Sequence, residues 1–256
     1  MKPQPFFTFP NETYQLPFKD LYTRINSGDV GSHEKETSSD TWTSRTNFYP
    51  GPVLQKATCT LLHIVNGVVN GKPGSISRFE SVAYPANPKT PGLFVMVDMN
   101  ATEDMGQYLV GYIDLIIQDG RTHATEKQQF AAHLETVCRN HGQDFNEHNA
   151  FIKGRGVFGG CAGECGLMGF FQEDDIPFLK VLLTLLPTFY EHVIAGCANI
   201  PADDEDFKQM HASRARLVEW MLTENIGVKV MRENKIPLSV VEASSFPPVV
   251  EYSGRQ

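Results

Sequence analysis

The spacing of hydrophobic residues changes twice along this chain of 256 residues. Between residues 53 and 118, apolar and β-branched residues form short runs that stop at turn-forming pairs such as Asn66-Gly67 and Asp119-Gly120. This pattern is typical of strands and tight turns. It predicts strands at 53–65, 68–71, 77–83, 93–100 and 108–118. Because the gaps between them are too short for crossover helices, we expect mostly antiparallel pairing.

After residue 120 the apolar residues recur at helical spacing. Long helices are predicted at 125–140 and 174–195, and a shorter amphipathic helix is predicted at 17–25. Strand-like runs return at 214–222, 227–231 and 238–241. Strands, two long helices and further strands together predict an α+β fold in which helices pack on an antiparallel sheet.

The first 50 residues differ in composition from the rest of the chain. They are polar and rich in turn formers, and residues 26–46 are dominated by Ser, Thr, Glu and Asp. We therefore predict that residues 1–50 contain a helix and a mobile or substrate-covering connection. No long flexible linker divides the remainder, so residues 51–256 are predicted to form a single domain.

Composition and charge exclude several functional classes. Hydrophobic residues make up 41% of the chain, which is enough for a folded core. The net charge of −8 argues against nucleic-acid binding, because that function needs a clustered positive surface. No apolar run reaches the length of a membrane span, and the N-terminus lacks the features of a signal peptide. The five scattered cysteines are interpreted as reduced thiols, and the protein is expected to be cytoplasmic.

One stretch carries the most specific chemistry. The loop Ser81-Val-Ala-Tyr-Pro-Ala-Asn-Pro-Lys-Thr-Pro91 leads into a strand that reaches Asp98, and the next strand contains Gly111-Tyr-Ile-Asp-Leu115. This arrangement resembles the oxygen-dependent coproporphyrinogen oxidases, where a His-Pro-x-Asn-Pro-x-x-Pro loop precedes a substrate-facing strand and a second strand carries Gly-Gly-x-Asp-Leu. Tyr84 stands at the family's histidine and Asp98 at its arginine, whereas Asp114 matches its aspartate.

Further segments resemble the same family in the same order. They are Gly51–Leu62, the helix ending at His141-Gly142, Gly163-Glu164 with Gly169-Phe-Phe171, Arg214-Ala-Arg216-Leu-Val-Glu219, and Pro247–Tyr252. The resemblance spans about residue 20 to Tyr252. It implies a coproporphyrinogen-oxidase-like sandwich, with a large antiparallel sheet flanked by helices on both faces, and a homodimer.

The resemblance also implies an activity. In that family, molecular oxygen is the co-substrate, no metal or organic cofactor is needed, and propionate groups of a porphyrinogen are oxidatively decarboxylated to vinyl groups. We therefore expect an oxygen-dependent oxidoreductase that acts on a carboxylated substrate, either tetrapyrrole-like or smaller. Two alternatives remain: a non-catalytic protein that binds haem or a bilin, and an enzyme similar to the bilin reductases.

The candidate catalytic residues are Asp114, Tyr84 and Asp98. Asp114 is a lone carboxylate in an apolar strand, where it could accept hydrogen bonds from pyrrole N–H groups or act as a base, although a structural role is the alternative. Tyr84 can donate a hydrogen bond but rarely transfers protons at neutral pH. Asp98 in place of arginine would make the site more negative, which favours a less acidic substrate than coproporphyrinogen.

The candidate substrate-binding residues are Arg214, Arg216, Asn87 and His211. The two arginines are two residues apart on a predicted strand, so both should project to one face and could bind a dicarboxylate. A solvated face or salt bridges to nearby acids is the alternative. Cys161-Ala-Gly-Glu-Cys165 lacks the second half of a zinc pattern, so no metal site is assigned; its glycines are expected to permit left-handed backbone beside a ligand.

Overall fold

The computed structural model describes residues 11–27, 32–119 and 123–251. Its centre is a seven-stranded sheet in which every neighbouring pair is antiparallel and the strands follow chain order. The strands are β1 (His33–Ser38), β2 (Trp42–Phe48), β3 (Leu54–Val69), β4 (Lys72–Pro85), β5 (Gly92–Thr102), β6 (Gly106–Ile116) and β7 (Leu167–Phe171). The sheet is therefore one continuous meander.

Seven α-helices are found in the described part of the chain. They are α1 (Asn11–Ile25), α2 (Ala124–Asn140), α3 (Phe145–Ala150), α4 (Ile176–Cys197), α5 (Asp204–Thr223), α6 (Ile226–Glu233) and α7 (Leu238–Ser244). Short 3-10 turns occupy Val157–Gly160 and Glu173–Asp175. The prediction of an α+β fold with a large antiparallel sheet and flanking helices is confirmed, whereas the specific likeness to the oxidase sandwich stays a prediction.

Alternate residues of the strands belong to two separate hydrophobic cores. On β5, Val95 and Val97 pack in the core that includes α1, α2 and α4, whereas Phe94 and Met96 pack with residues of α5, α6 and α7. Successive side chains of a strand point to opposite faces. A strand in a sheet that is buried on both faces therefore has apolar residues at consecutive positions. This explains why the central strands read as continuous apolar runs rather than alternating ones.

The prediction of strands at 214–222, 227–231 and 238–241 is wrong, because these residues lie in α5, α6 and α7. Asp203 and Asp206 form a reciprocal capping box that starts α5, and Asn225 caps α6. The buried positions of α5 follow helical periodicity. Short apolar runs cannot be assigned to strand or helix by periodicity alone, whereas the capping residues indicate helices.

The prediction of a connection at residues 26–46 is also wrong over most of its length. Residues 33–48 contain β1 and β2, and β2 pairs with β3, so the sheet extends across the predicted boundary at residue 50. Trp42, Ser44 and Thr46 are the buried positions of β2, and the Thr46 and Thr60 hydroxyls hydrogen-bond at 3.0 Å. Polar β-branched residues thus form a strand here. Residues 28–31 lie outside the described residues.

One helical segment, Glu173–Cys197, is long and apolar enough to cross a membrane by length and composition. More than half of its apolar window is buried inside the protein, where α4 contacts α1 and α2. Its hydrophobicity is therefore explained by its position in the core of a globular domain, which is consistent with a soluble protein.

The burial pattern of α4 predicts how two leucines of the same helix differ. Leu183 is fully buried, whereas Leu185 is 39% exposed. We expect Leu183→Ala to lower the free energy of unfolding by about 2–5 kcal/mol because it leaves a cavity. Leu185→Ala is the matched control, with an expected loss of about 1 kcal/mol or less. Urea unfolding measures both; equal losses would contradict the assigned orientation of α4.

Candidate functional site

A pocket of about 550 Å³ lies between the sheet and the C-terminal helices. Its floor is formed by β4, β5 and β6, and its walls are formed by the 3-10 turn at Val157–Gly160 and residues of α5 and α6. Most of its lining is apolar or aromatic. We call it the aromatic pocket.

Four aromatic rings pack against one another along the aromatic pocket. The ring centre of Phe158 lies 5.0 Å from that of Phe94, 5.2 Å from that of Tyr112 and 5.4 Å from that of Trp220. The contacts with Tyr112 and Trp220 are edge-to-face. Such packing fixes the positions of the rings.

The glycine-rich loop places Phe158 in this cluster. Phe158 has a φ of 56°, and the following Gly159 has a φ of 60°. A Cβ atom at Gly159 would lie 2.6 Å from the backbone oxygen of Arg216 on α5, so only glycine fits there. The expectation of left-handed backbone and close approach in this loop is therefore confirmed, and the loop lies beside the pocket.

A salt bridge crosses the floor of the aromatic pocket. Arg78 of β4 and Asp98 of β5 are direct cross-strand neighbours, and the guanidinium donates two hydrogen bonds to the carboxylate at 2.6 and 2.7 Å. Both residues are buried. Glu80 lies 3.9 Å from Arg78 and accepts a hydrogen bond from the Ser245 hydroxyl at 2.5 Å. Burial raises the pKa of Glu80, and the charge of Arg78 opposes this rise.

Asp98 is not the only charged residue of the aromatic pocket. Arg78 neutralises this carboxylate directly, and sequence reasoning missed Arg78. The other charged residues that line the pocket are Arg155 and Glu224, one of each sign, and both are exposed at its mouth. Two positive and two negative side chains thus line the aromatic pocket, so its formal charge is balanced.

Tyr112 presents the most unusual polar group of the aromatic pocket. Its hydroxyl is buried and has no hydrogen-bond partner among the described residues. Burial raises the pKa of Tyr112 well above its ordinary value, so the phenol keeps its proton at neutral pH. An unsatisfied buried hydroxyl is costly.

Asp114 lies on the same face of β6 but does not line the aromatic pocket. It is fully buried and accepts hydrogen bonds from the backbone N–H groups of Glu164 and Cys165 at 2.9 and 3.2 Å, and from the Cys165 thiol at 3.4 Å. Burial raises its pKa to about 6, although these hydrogen bonds oppose the rise. In this position Asp114 holds the end of the glycine-rich loop against the sheet.

Tyr84 and Arg214 form a second buried polar group outside the aromatic pocket. The Tyr84 hydroxyl donates to the backbone oxygen of Ser245 at 2.6 Å, and the guanidinium of Arg214 lies 5.7 Å from the Tyr84 ring centre. Arg214 donates at 2.8 and 2.9 Å to Gln118, Gln55 and the Pro85 carbonyl. Burial lowers the pKa of Arg214 to about 10. These contacts tie α5 and α7 to the sheet.

The prediction that Arg214 and Arg216 share one face is wrong. They lie on a helix, where two residues are separated by about 200°. Arg214 is buried, whereas Arg216 is exposed and donates to the Ser213 hydroxyl at 2.9 Å. The two guanidinium groups therefore do not form a joint site for a dicarboxylate.

Asn87 and His211 also lie outside the lining of the aromatic pocket. The Asn87 amide donates to the carbonyls of Ala198 and Ile200 at 3.0 and 2.8 Å, which fastens its loop to the end of α4. His211 lies 3.2 Å from Glu251. Of the seven candidate residues, only Asp98 lines the aromatic pocket.

Comparison with known protein families found no matching family model, and comparison with curated proteins found no match. The resemblance to the coproporphyrinogen oxidases therefore stays a prediction from the quoted residues.

The pKa of Asp114 predicts a pH dependence of stability. Its pKa rises from about 3.8 to about 6 on folding. The favourable contribution of Asp114 to the free energy of unfolding is therefore complete below about pH 4, and it is lost as the pH rises through about 6. Urea unfolding of wild type and Asp114→Asn measures this contribution. Between about pH 4 and pH 7, we expect the unfolding free energy of wild type to fall by about 3 kcal/mol relative to that of Asp114→Asn. A constant difference would contradict the assignment.

Proposed function

We propose that this chain binds a flat, conjugated organic molecule of the tetrapyrrole type in the aromatic pocket. The observation that carries the proposal is the clustering of Phe94, Tyr112, Phe158 and Trp220 around a cavity of about 550 Å³. Small-molecule sites are concave, mostly apolar and roughly 300–1,000 Å³ in volume, with a few placed polar groups. The aromatic pocket has all of these features.

Its charge favours a guest with few carboxylates. Arg78 is already engaged by Asp98 through two hydrogen bonds, so it is not a free cation for a strongly anionic ligand. A carboxylate has about four acceptor positions, so Asp98 can still accept from a pyrrole N–H group while it holds Arg78. Haem and biliverdin are suitable probes of this class.

Filling the aromatic pocket tests the binding proposal. Val110 lines the floor, so Val110→Trp is expected to occupy the space of the guest and weaken binding of haem or biliverdin at least about tenfold. Absorbance titration measures the affinity, and Val181→Trp on the outer face of α4 is the control. Binding that is unchanged by Val110→Trp would place the ligand elsewhere, and no binding by wild type would contradict the tetrapyrrole class.

A second candidate is an oxygen-dependent oxidoreductase without a cofactor, which acts by oxidative decarboxylation on a carboxylated substrate. The specific observation in its favour is that Asp98 lines an otherwise mostly apolar cavity. There, Asp98 would accept a substrate N–H, and the aromatic walls would exclude water. A propionate would become a vinyl group and carbon dioxide, while oxygen takes up two electrons and two protons to form hydrogen peroxide.

From the resemblance, we further propose that the protein is a cytoplasmic homodimer. A bilin-reductase-like activity is the related variant, in which an external electron donor replaces oxygen. In either enzyme, the same residues would bind and orient the tetrapyrrole.

Oxygen consumption with a porphyrinogen separates the enzyme from the binding protein. The enzyme should consume oxygen, and Val110→Trp should abolish this consumption because it occupies the space of the substrate. Val181→Trp is the control and should leave the consumption unchanged. Tight binding of haem or biliverdin without oxygen uptake would exclude the oxygen-dependent enzyme and leave the binding function.

A further inference from the structure

A second group of chemically active side chains lies on the opposite face of the sheet. His123 precedes α2, Glu126 lies in its first turn, and Cys197 is the last residue of α4. One ligand atom from each of these residues lies within 4.8 Å of the other two. We call this group the His–Glu–Cys cluster.

The cluster is shielded from solvent. Cys197 is fully buried, and the side chains of His123 and Glu126 are 7% and 20% exposed. A thiol, an imidazole and a carboxylate that converge in such a place are the ligand types that zinc and related transition-metal ions prefer. In contrast, the two cysteines of the glycine-rich loop bind separate protein groups: Cys161 donates to the Ser213 carbonyl and Cys165 to Asp114.

The orientation of His123 also suits metal binding. Its Nε2 atom lies 2.7 Å from a carboxylate oxygen of Asp119, and its Nδ1 atom lies 3.8 Å from Glu126. Histidines that bind metals commonly use one ring nitrogen as ligand while the other donates to a carboxylate, which fixes the tautomer and the ring. Asp119 is thus in place to orient His123, and Nδ1 faces Glu126.

We propose that the His–Glu–Cys cluster binds a divalent transition-metal ion, with zinc as the best match. The ligands are His123 Nδ1, the Glu126 carboxylate and Cys197 Sγ, and Asp119 is a positioning residue for His123. Three protein ligands leave the fourth tetrahedral position to water or a further ligand. On binding, the Cys197 thiol loses its proton and becomes a thiolate.

Electrostatics favours a cation at this place. Asp119 and Glu126 bring two carboxylates to one imidazole. A bound divalent ion would offset the charge of Glu126 and that of the thiolate. The ion would connect the start of α2 to the end of α4, two helices that pack against each other on the sheet. The proposal is independent of the function assigned to the aromatic pocket.

Metal analysis of the purified full-length protein tests the site. After reconstitution with zinc and removal of excess, we expect about one zinc per chain by mass spectrometry of the elements. Cobalt should give the charge-transfer absorption of a thiolate-bound ion. Cys197→Ser and Glu126→Gln are each expected to weaken binding at least about tenfold, and Asp119→Asn about 10–100-fold. Cys59→Ser is the control because Cys59 is equally buried but lies outside the cluster.

The melting temperature gives a second readout. Zinc should raise the melting temperature of wild type and of Cys59→Ser but not that of Glu126→Gln, whose partly exposed side chain makes it the variant most able to fold. Substoichiometric zinc in reconstituted wild type would overturn the proposal. Equal zinc affinity in Glu126→Gln and Cys59→Ser, together with a cobalt spectrum without thiolate absorption, would also overturn it.

Discussion

The structure depends on burying both faces of one antiparallel sheet. Because strand residues alternate between faces, each of β4, β5 and β6 supplies one row of side chains to the core under α1, α2 and α4. The other row faces the C-terminal helices. The first row is closely packed, whereas the second leaves space between its aromatic residues. The alternation of side chains between the two faces therefore stabilises the sheet and also positions the residues that form the pocket floor.

The Arg78–Asp98 pair sets the character of that floor. Removing two charges from water is costly, and two short hydrogen bonds between planar groups are the arrangement that best offsets the cost. Buried ion pairs contribute little net stability, so the main effect of this pair is on the character of the cavity that it lines. It offers polarity without net charge, which suits a conjugated molecule with N–H groups.

The sequence allowed some of this architecture to be predicted, because the physical signals were local. The central strands and the helices α2 and α4 follow from hydrophobic spacing. Strand β2 was missed since its buried positions include Ser44 and Thr46 rather than apolar residues alone. Strand β1 was missed since none of its residues is buried, so it has no apolar pattern. The helices after residue 203 were missed although Asp203 and Asn225 are capping residues, and this error misplaced Arg216.

The residues of the candidate sites come from distant parts of the chain, so their contacts are set by strand pairing and helix packing. Arg78 could have been found by placing 77–83 and 93–100 in hairpin register, where it meets Asp98. The convergence of His123 and Cys197 is set by helix packing and has no signal in their spacing along the sequence. The resemblance predicts a catalytic role for Asp114, and its hydrogen bonds to Glu164 and Cys165, which anchor the glycine-rich loop, had no signal in the sequence.

The open meander leaves two sheet edges, and their side chains differ. The strand β1 at one edge carries His33, Glu34, Lys35 and Glu36, and nearly all of its residues are exposed. A second molecule that extended the sheet there would have to dehydrate these charged groups. The charged outermost strand thus disfavours growth of the sheet by pairing along β1.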